Sequence, residues 1–148
     1  MANVIYITID QALDTYYRTI EVSGGGHSGV LNQGQLEGTL EQIQDDAWYP
    51  TFEAKLTHLV YASNRNHCFQ DGNKRIAISL GAQFLLLNGY VFISSRFITY
   101  MENISYHLAA GRISKELLAE IIAALVEGEE EDEVLKLKIL LAIGDEEG

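Results

Sequence analysis

Apolar positions recur at intervals of three and four along most of this chain, the period of a helix that buries one face. The segment "TIDQALDTYYRTI" opens with Thr8 and places Gln11 three residues on, a capping-box signature for a helix start. "VSGGGHSGVLNQG" is a glycine-rich connection; it lacks the GxxxxGK(S/T) spacing of a phosphate-binding Walker loop and reads as a loop that needs positive φ. "QLEGTLEQIQDD" reads as a second helix. Pro50 in "AWYPTFEAK" ends it, and a third begins at Phe52, with Leu56, Leu59, Val60 and Tyr61 keeping the helical spacing. "KRIAISLGAQFLLLNG" is apolar nearly all round, so it predicts a central, buried helix ended by Asn88-Gly89. "SRFITYMENISYHLAAG" and "SKELLAEIIAALVEG" predict two more, each closed by glycine. The tail is two-valued: "LKLKI" alternates like a strand, while its leucines suit a helix. Only "VIYITI" at the start otherwise asks for a strand. The pattern predicts an all-α domain of about six or seven helices, with at most a short N-terminal strand or flap.

At 148 residues the chain fits one domain and buries a core without disulfide or metal staples. A single cysteine, Cys68, excludes a disulfide framework and a four-thiolate zinc site, and fits a reducing compartment. The N-terminus carries no basic segment followed by an apolar signal core, and no apolar run is long enough to span a bilayer. The expectation is a soluble cytoplasmic protein.

The net charge of −11 argues against direct nucleic-acid binding. From Glu127 onward nine acids face two lysines, whereas between Tyr61 and Leu80 three basic residues face Asp71 alone. The one basic spot on an acidic molecule is therefore "HCFQDGNKR", residues 67–75, with Arg65 just upstream. A loop feeding a buried helix presents free backbone N–H groups at the positive end of the helix dipole, a ready anion site. Gly72 leaves room for a phosphate to approach the backbone, and Asn73, Lys74 and Arg75 add donors in the first turn. Asp71 is placed to hold Mg²⁺ between phosphates, and His67 to take a proton from an attacking hydroxyl. These parts describe phosphoryl or nucleotidyl transfer from a nucleoside triphosphate such as ATP.

The same stretch resembles the signature of the Fic/Doc superfamily. Its Fic branch reads HPFxxGNGRxxR, and its Doc branch, the death-on-curing toxins, has lysine before the arginine, as here. "GGGHSG", "LNQGQLEGTLEQ", "FEAKLTHLVYASNRNHCF" and "FLLLNGY" follow in that branch's order and spacing. The resemblance covers roughly residues 5–126, so the chain divides into a Fic/Doc-like domain, 1–128, and an acidic C-terminal extension, 129–148. It implies that His67 is the general base and Asp71 the Mg²⁺ ligand. Gly72, Asn73 and the backbone amides would form the anion hole, Lys74 and Arg75 would hold phosphates, and Arg65 would support nucleotide or target.

Two positions depart from the Fic branch: its second glycine is Lys74 here, and its final arginine is Ile78. Both weigh against AMP transfer. The Doc branch implies a protein kinase that inactivates translation elongation factor Tu, and a small antitoxin whose segment covers the site. A Fic-type AMP transferase and a catalytically degenerate binding module are the alternatives. The Ser/Thr-xxx-Glu-Gly/Asn helix of self-inhibiting Fic proteins is missing, since Gln33 and Ala123 occupy the positions where its hydroxyl would stand.

The remaining candidates read as structural. Cys68 reads as a small buried hydrophobe, His58 as a packed boundary residue, and His27 and His107 as exposed. Trp48, Tyr49 and Pro50 suit either a flap that docks a target peptide or a plain exposed aromatic turn. The tail reads as a solvated extension whose charge could dock on the basic motif.

Overall fold

The computed structural model describes residues 3–22, 33–65 and 73–144. These form seven helices: α1 (Ile9–Val22), α2 (Gln33–Gln42), α3 (Phe52–Arg65), α4 (Asn73–Leu87), α5 (Val91–Ala109), α6 (Lys115–Glu127) and α7 (Glu133–Gly144). No strand occurs among the described residues. The capping box forms as the sequence predicts: the Thr8 N–H donates to Gln11 Oε1 at 2.9 Å, and the Gln11 N–H to Thr8 Oγ1 at 3.1 Å. Thr51 and Ser114 cap α3 and α6 through their hydroxyls. Gly128, at φ 76°, ends α6 in the left-handed conformation that a side chain disfavours.

The start of the chain departs from the pattern. "VIYITI" forms no strand, because no second backbone lies beside it. The Asn88 side chain takes that place, accepting from the Ile5 N–H at 2.8 Å and donating to the Ile5 carbonyl at 2.9 Å. A single side-chain amide thus satisfies both backbone groups of Ile5.

α4 is the central helix. Ile76, Ala77, Leu80, Phe84 and Leu85 are fully buried in the core. α1 runs antiparallel to it, tied by Thr15 to Gln83 at 2.6 Å and Thr19 to Ser79 at 3.1 Å. α3 crosses it from the other side: Phe52 stacks on Phe84, and Val60 meets Gly81. α5 returns along it, with Ser94 Oγ donating to the Ala82 carbonyl and Phe97 lying against Gly81.

One core residue breaks the apolar rule. Lys55 is buried on α3 with its ammonium donating to the Ile43 carbonyl at 2.7 Å and to Asp46 at 2.6 Å. Burial alone would lower its pKa, but the Asp46 bond and the nearby Tyr6 outweigh that and leave it raised. It ties the end of α2 to α3.

The tail resolves in favour of a helix. α7 lays Leu135 and Ile139 on α6, and Glu130 just before it is buried to 7% exposure. The Glu130 carboxylate accepts two bonds from Arg96 of α5, at 2.8 and 2.7 Å. The expectation of a solvated extension is corrected for Glu130 and α7; most of the motif on which its charge could dock lies outside the described residues. The tail's buried acid pairs with Arg96, on the first half of α5, and α7 covers an apolar face of α6.

Candidate functional site

Antiparallel packing brings several helix ends together. α4 begins at Asn73, and α3 ends at Arg65 on the other side of the motif segment. α5 packs Phe97 on Gly81 and then runs back toward the start of α4, so its last turns lie beside the last turn of α3. Two bonds fix that junction. Asn64 Nδ2 donates to the Ser105 carbonyl at 3.2 Å, and Arg65 donates to the Leu108 carbonyl at 3.3 Å. Of the residues singled out in the sequence, the structure therefore brings Arg65, Asn73, Lys74 and Arg75 to one pole. His67, Cys68, Asp71 and Gly72 lie outside the described residues, as does His27.

Lys74 and Arg75 occupy the first turn of α4 and are both exposed. Neither forms an ion pair among the described residues. Both cations stand at the N-terminal end of a 15-residue helix, the end whose dipole and first N–H groups favour an anion. Arg65 differs. Its guanidinium is held by the Leu108 carbonyl and lies 5.9 Å from the centre of the Tyr61 ring, so it also braces α3 against α5. Ile78, where the Fic pattern has its last arginine, is half-buried and packs on the core, so no donor stands there.

A family model described as the Fic/DOC family matches residues 4–85. The chain belongs to the Fic/DOC family. It is also 30% identical over 105 residues to the protein kinase doc of Escherichia phage P1, an alignment covering 68% of this chain and 80% of that protein. The Fic/DOC match takes in α1 to α3 and nearly all of α4; α5, which completes the pole, and α6 and α7 lie beyond it.

Under the Fic/DOC pole lie polar groups that the linear pattern did not disclose. Ser63, Asn64 and Ser105 are each 1% exposed, and Ser63 Oγ, Asn64 Oδ1 and Ser105 Oγ have no hydrogen-bond partner among the described residues. Such atoms are costly to bury. The available signal was weak: "SN" interrupts the apolar face of α3 just before the motif.

His107 corrects a second expectation. It is buried, because the chain turns back after Gly111 and lays Arg112 over it. Arg112 donates to His107 Nδ1 at 3.1 Å. His58 is the boundary residue expected. Its Nε2 meets Gln42 at 2.8 Å, its Nδ1 meets the Lys115 ammonium at 3.0 Å, and Tyr49 stacks on its ring at 4.5 Å. Burial and the Lys115 charge lower its pKa to about 4, so it is neutral at pH 7. With Nδ1 accepting from the ammonium, Nε2–H donates to Gln42. The aromatic turn is thus half anchored: Tyr49 is packed and Trp48 is 78% exposed. No described helix is long and apolar enough to cross a membrane.

Proposed function

We propose that this protein transfers the γ-phosphate of ATP to a hydroxyl of a host protein, as a Doc-type toxin kinase. The similarity to the protein kinase doc of phage P1 carries the reading. The exposed Lys74 on the first turn of α4, in no ion pair among the described residues, supports it. Bound Mg²⁺ would neutralise phosphate charge, with Asp71 as its protein ligand. His67 takes the proton of the target hydroxyl as its oxygen attacks the γ-phosphorus. The bond between that phosphorus and the β–γ bridging oxygen breaks, and ADP leaves. Gly72, Asn73 and the first N–H groups of α4 hold the phosphates, with Lys74 and Arg75 adding charge, and Arg65 supports nucleotide or target from the end of α3.

By family resemblance the target is translation elongation factor Tu, and a small antitoxin protein covers the site. An open groove of about 430 Å³ between α1 and α4, lined by Thr19, Val22, Ser79 and Leu86, offers a partner segment a seat. AMP transfer is the second reading within the same family. ATP labelled separately at the α and γ positions, incubated with Mg²⁺ and elongation factor Tu, decides between them. Label is expected on the target from the γ position only, and none with His67→Ala. Label arriving from the α position with the wild-type protein would overturn the kinase reading.

A further inference from the structure

α7 is apolar on two opposite faces, and the fold covers one of them. Leu135 and Ile139 are buried against the domain. Val134, Leu137, Leu140 and Leu141 are 63, 56, 65 and 59% exposed. Positions 134, 137 and 141 follow the i, i+3, i+7 spacing that lays a ridge along one side of a helix, with Leu140 flanking it. Four large aliphatic side chains on twelve residues form a contiguous apolar patch, the kind of surface that marks an interaction site.

The surrounding charge says what covers it. The two lysines of α7 are already spent within the chain: Lys138 pairs with Glu120 at 2.7 Å, and Lys136 with Glu131. Glu127, Glu129, Asp132 and Glu133 are exposed at the N-terminal end of the ridge and form no ion pair among the described residues. Three more acids, Asp145, Glu146 and Glu147, follow α7 in the sequence. An apolar ridge with acids crowded at its N-terminal end repels an anionic lipid surface and disfavours a parallel second copy. It attracts an apolar helix edged with lysine or arginine.

We propose that the outer face of α7 docks a basic amphipathic helix of another protein, through Val134, Leu137 and Leu141 with the acids at its N-terminal end. This surface lies on α7, which packs on α6 and lies beyond the part of the chain that the family model matches.

The test uses the full chain and two synthetic helical peptides that share a leucine face, one edged with lysine and one with glutamate. Fluorescence anisotropy is expected to show binding of the lysine peptide, weakened at least about tenfold between 50 and 500 mM salt. The glutamate peptide should not bind. Leu137→Gln/Leu141→Gln should abolish binding, and Glu129→Gln/Glu133→Gln should weaken it several-fold. Circular dichroism should show the helix content of both variants unchanged; all four positions are exposed. Unchanged binding in the leucine variant, equal binding of both peptides, or no binding at all would overturn the proposal. So would a dimer, seen by sedimentation, that the leucine variant dissolves, because a second copy would then be the occupant. Binding to phosphatidylglycerol vesicles lost in that variant would likewise assign the face to lipid.

Discussion

Under the proposed kinase reading, a lysine at position 74 would favour a terminal phosphate at the start of α4. In the Fic pattern a glycine there leaves the helix N-terminus clear, so a triphosphate can run along it with its α-phosphate toward the base. Here an exposed ammonium on a four-carbon stem stands at that place, and the half-buried Ile78 offers no second anchor further along the helix. A point charge with three donors suits a terminal phosphate. Lys74→Gly is therefore expected to cut γ-phosphate transfer at least about tenfold, equivalent to about 1.4 kcal/mol of lost stabilisation, and to open the pose that yields AMP transfer. Label from the α position reaching the target in this variant is the expected signature. A glycine in the first helical turn costs at most about 1 kcal/mol of stability, so the thermal transition should show that the fold survives. Wild-type γ-transfer in the variant would remove Lys74 from the mechanism. Lys74 and Arg75 could be singled out in the sequence because a loop-to-helix anion site is local: its donors are neighbours in the chain. The buried Ser63, Asn64 and Ser105 beneath it were not, because only tertiary packing brings the last turn of α3 against α5. His107 was misjudged for the same reason, its cover being supplied by Arg112 after a turn.

At the scale of elements, the helix pole depends on how closely three helices approach at Gly81. A Cβ built there would lie 2.6 and 2.8 Å from the Phe97 ring and 3.0 Å from Val60 Cγ2. The glycine is helical and needs no unusual φ; what it supplies is the absence of a side chain where α3 and α5 both press on α4. Gly81→Ala gains helix propensity of about 1 kcal/mol but must push a fully buried ring aside, an overpacking cost of about 1–3 kcal/mol. The expected result is a net loss of stability, read as a lower thermal midpoint, with Phe97→Leu in the same chain restoring part of it. A variant as stable as wild type would mean the helices yield without cost. Most element boundaries could be read in the sequence because capping residues and glycines are local punctuation: Thr8 with Gln11 and Gly128 act where the pattern places them, and Thr51 and Ser114 cap the helices expected after them. "VIYITI" misled because a strand requires a neighbour, and a lone stretch of alternating apolar residues does not say that an asparagine 83 positions away will substitute for one.

At the scale of the whole molecule, the acidic tail through α7 belongs to the domain's packing. α7 buries Leu135 and Ile139, each worth roughly 1.5–3 kcal/mol if fully removed from water. Ordering the segment offsets much of this. The buried Glu130 adds a pH-dependent part. Its two bonds from Arg96 lower its pKa below the ordinary carboxylate value, against the opposing pull of burial. A carboxylate whose pKa falls on folding contributes stability above its unfolded pKa, and that contribution is lost as the pH drops through the lower folded value. Deleting residues 129–148 is therefore expected to lower stability at pH 7 by on the order of 1–3 kcal/mol, a fall of several degrees in midpoint for a chain of this size. The difference between truncated and full-length protein should narrow below about pH 4.5, the ordinary carboxylate value at which the unfolded chain begins to take up the proton. Transfer activity per folded molecule should not change, since α7 packs on α6, the tail's buried acid pairs with Arg96 on the first half of α5, and none of these residues is among those assigned to the transfer. A truncation that stays folded by circular dichroism yet loses transfer would place the tail in the active machinery. One whose midpoint matches wild type from pH 7 to pH 4 would show that the Arg96–Glu130 pair and the leucines of α7 contribute nothing to the fold.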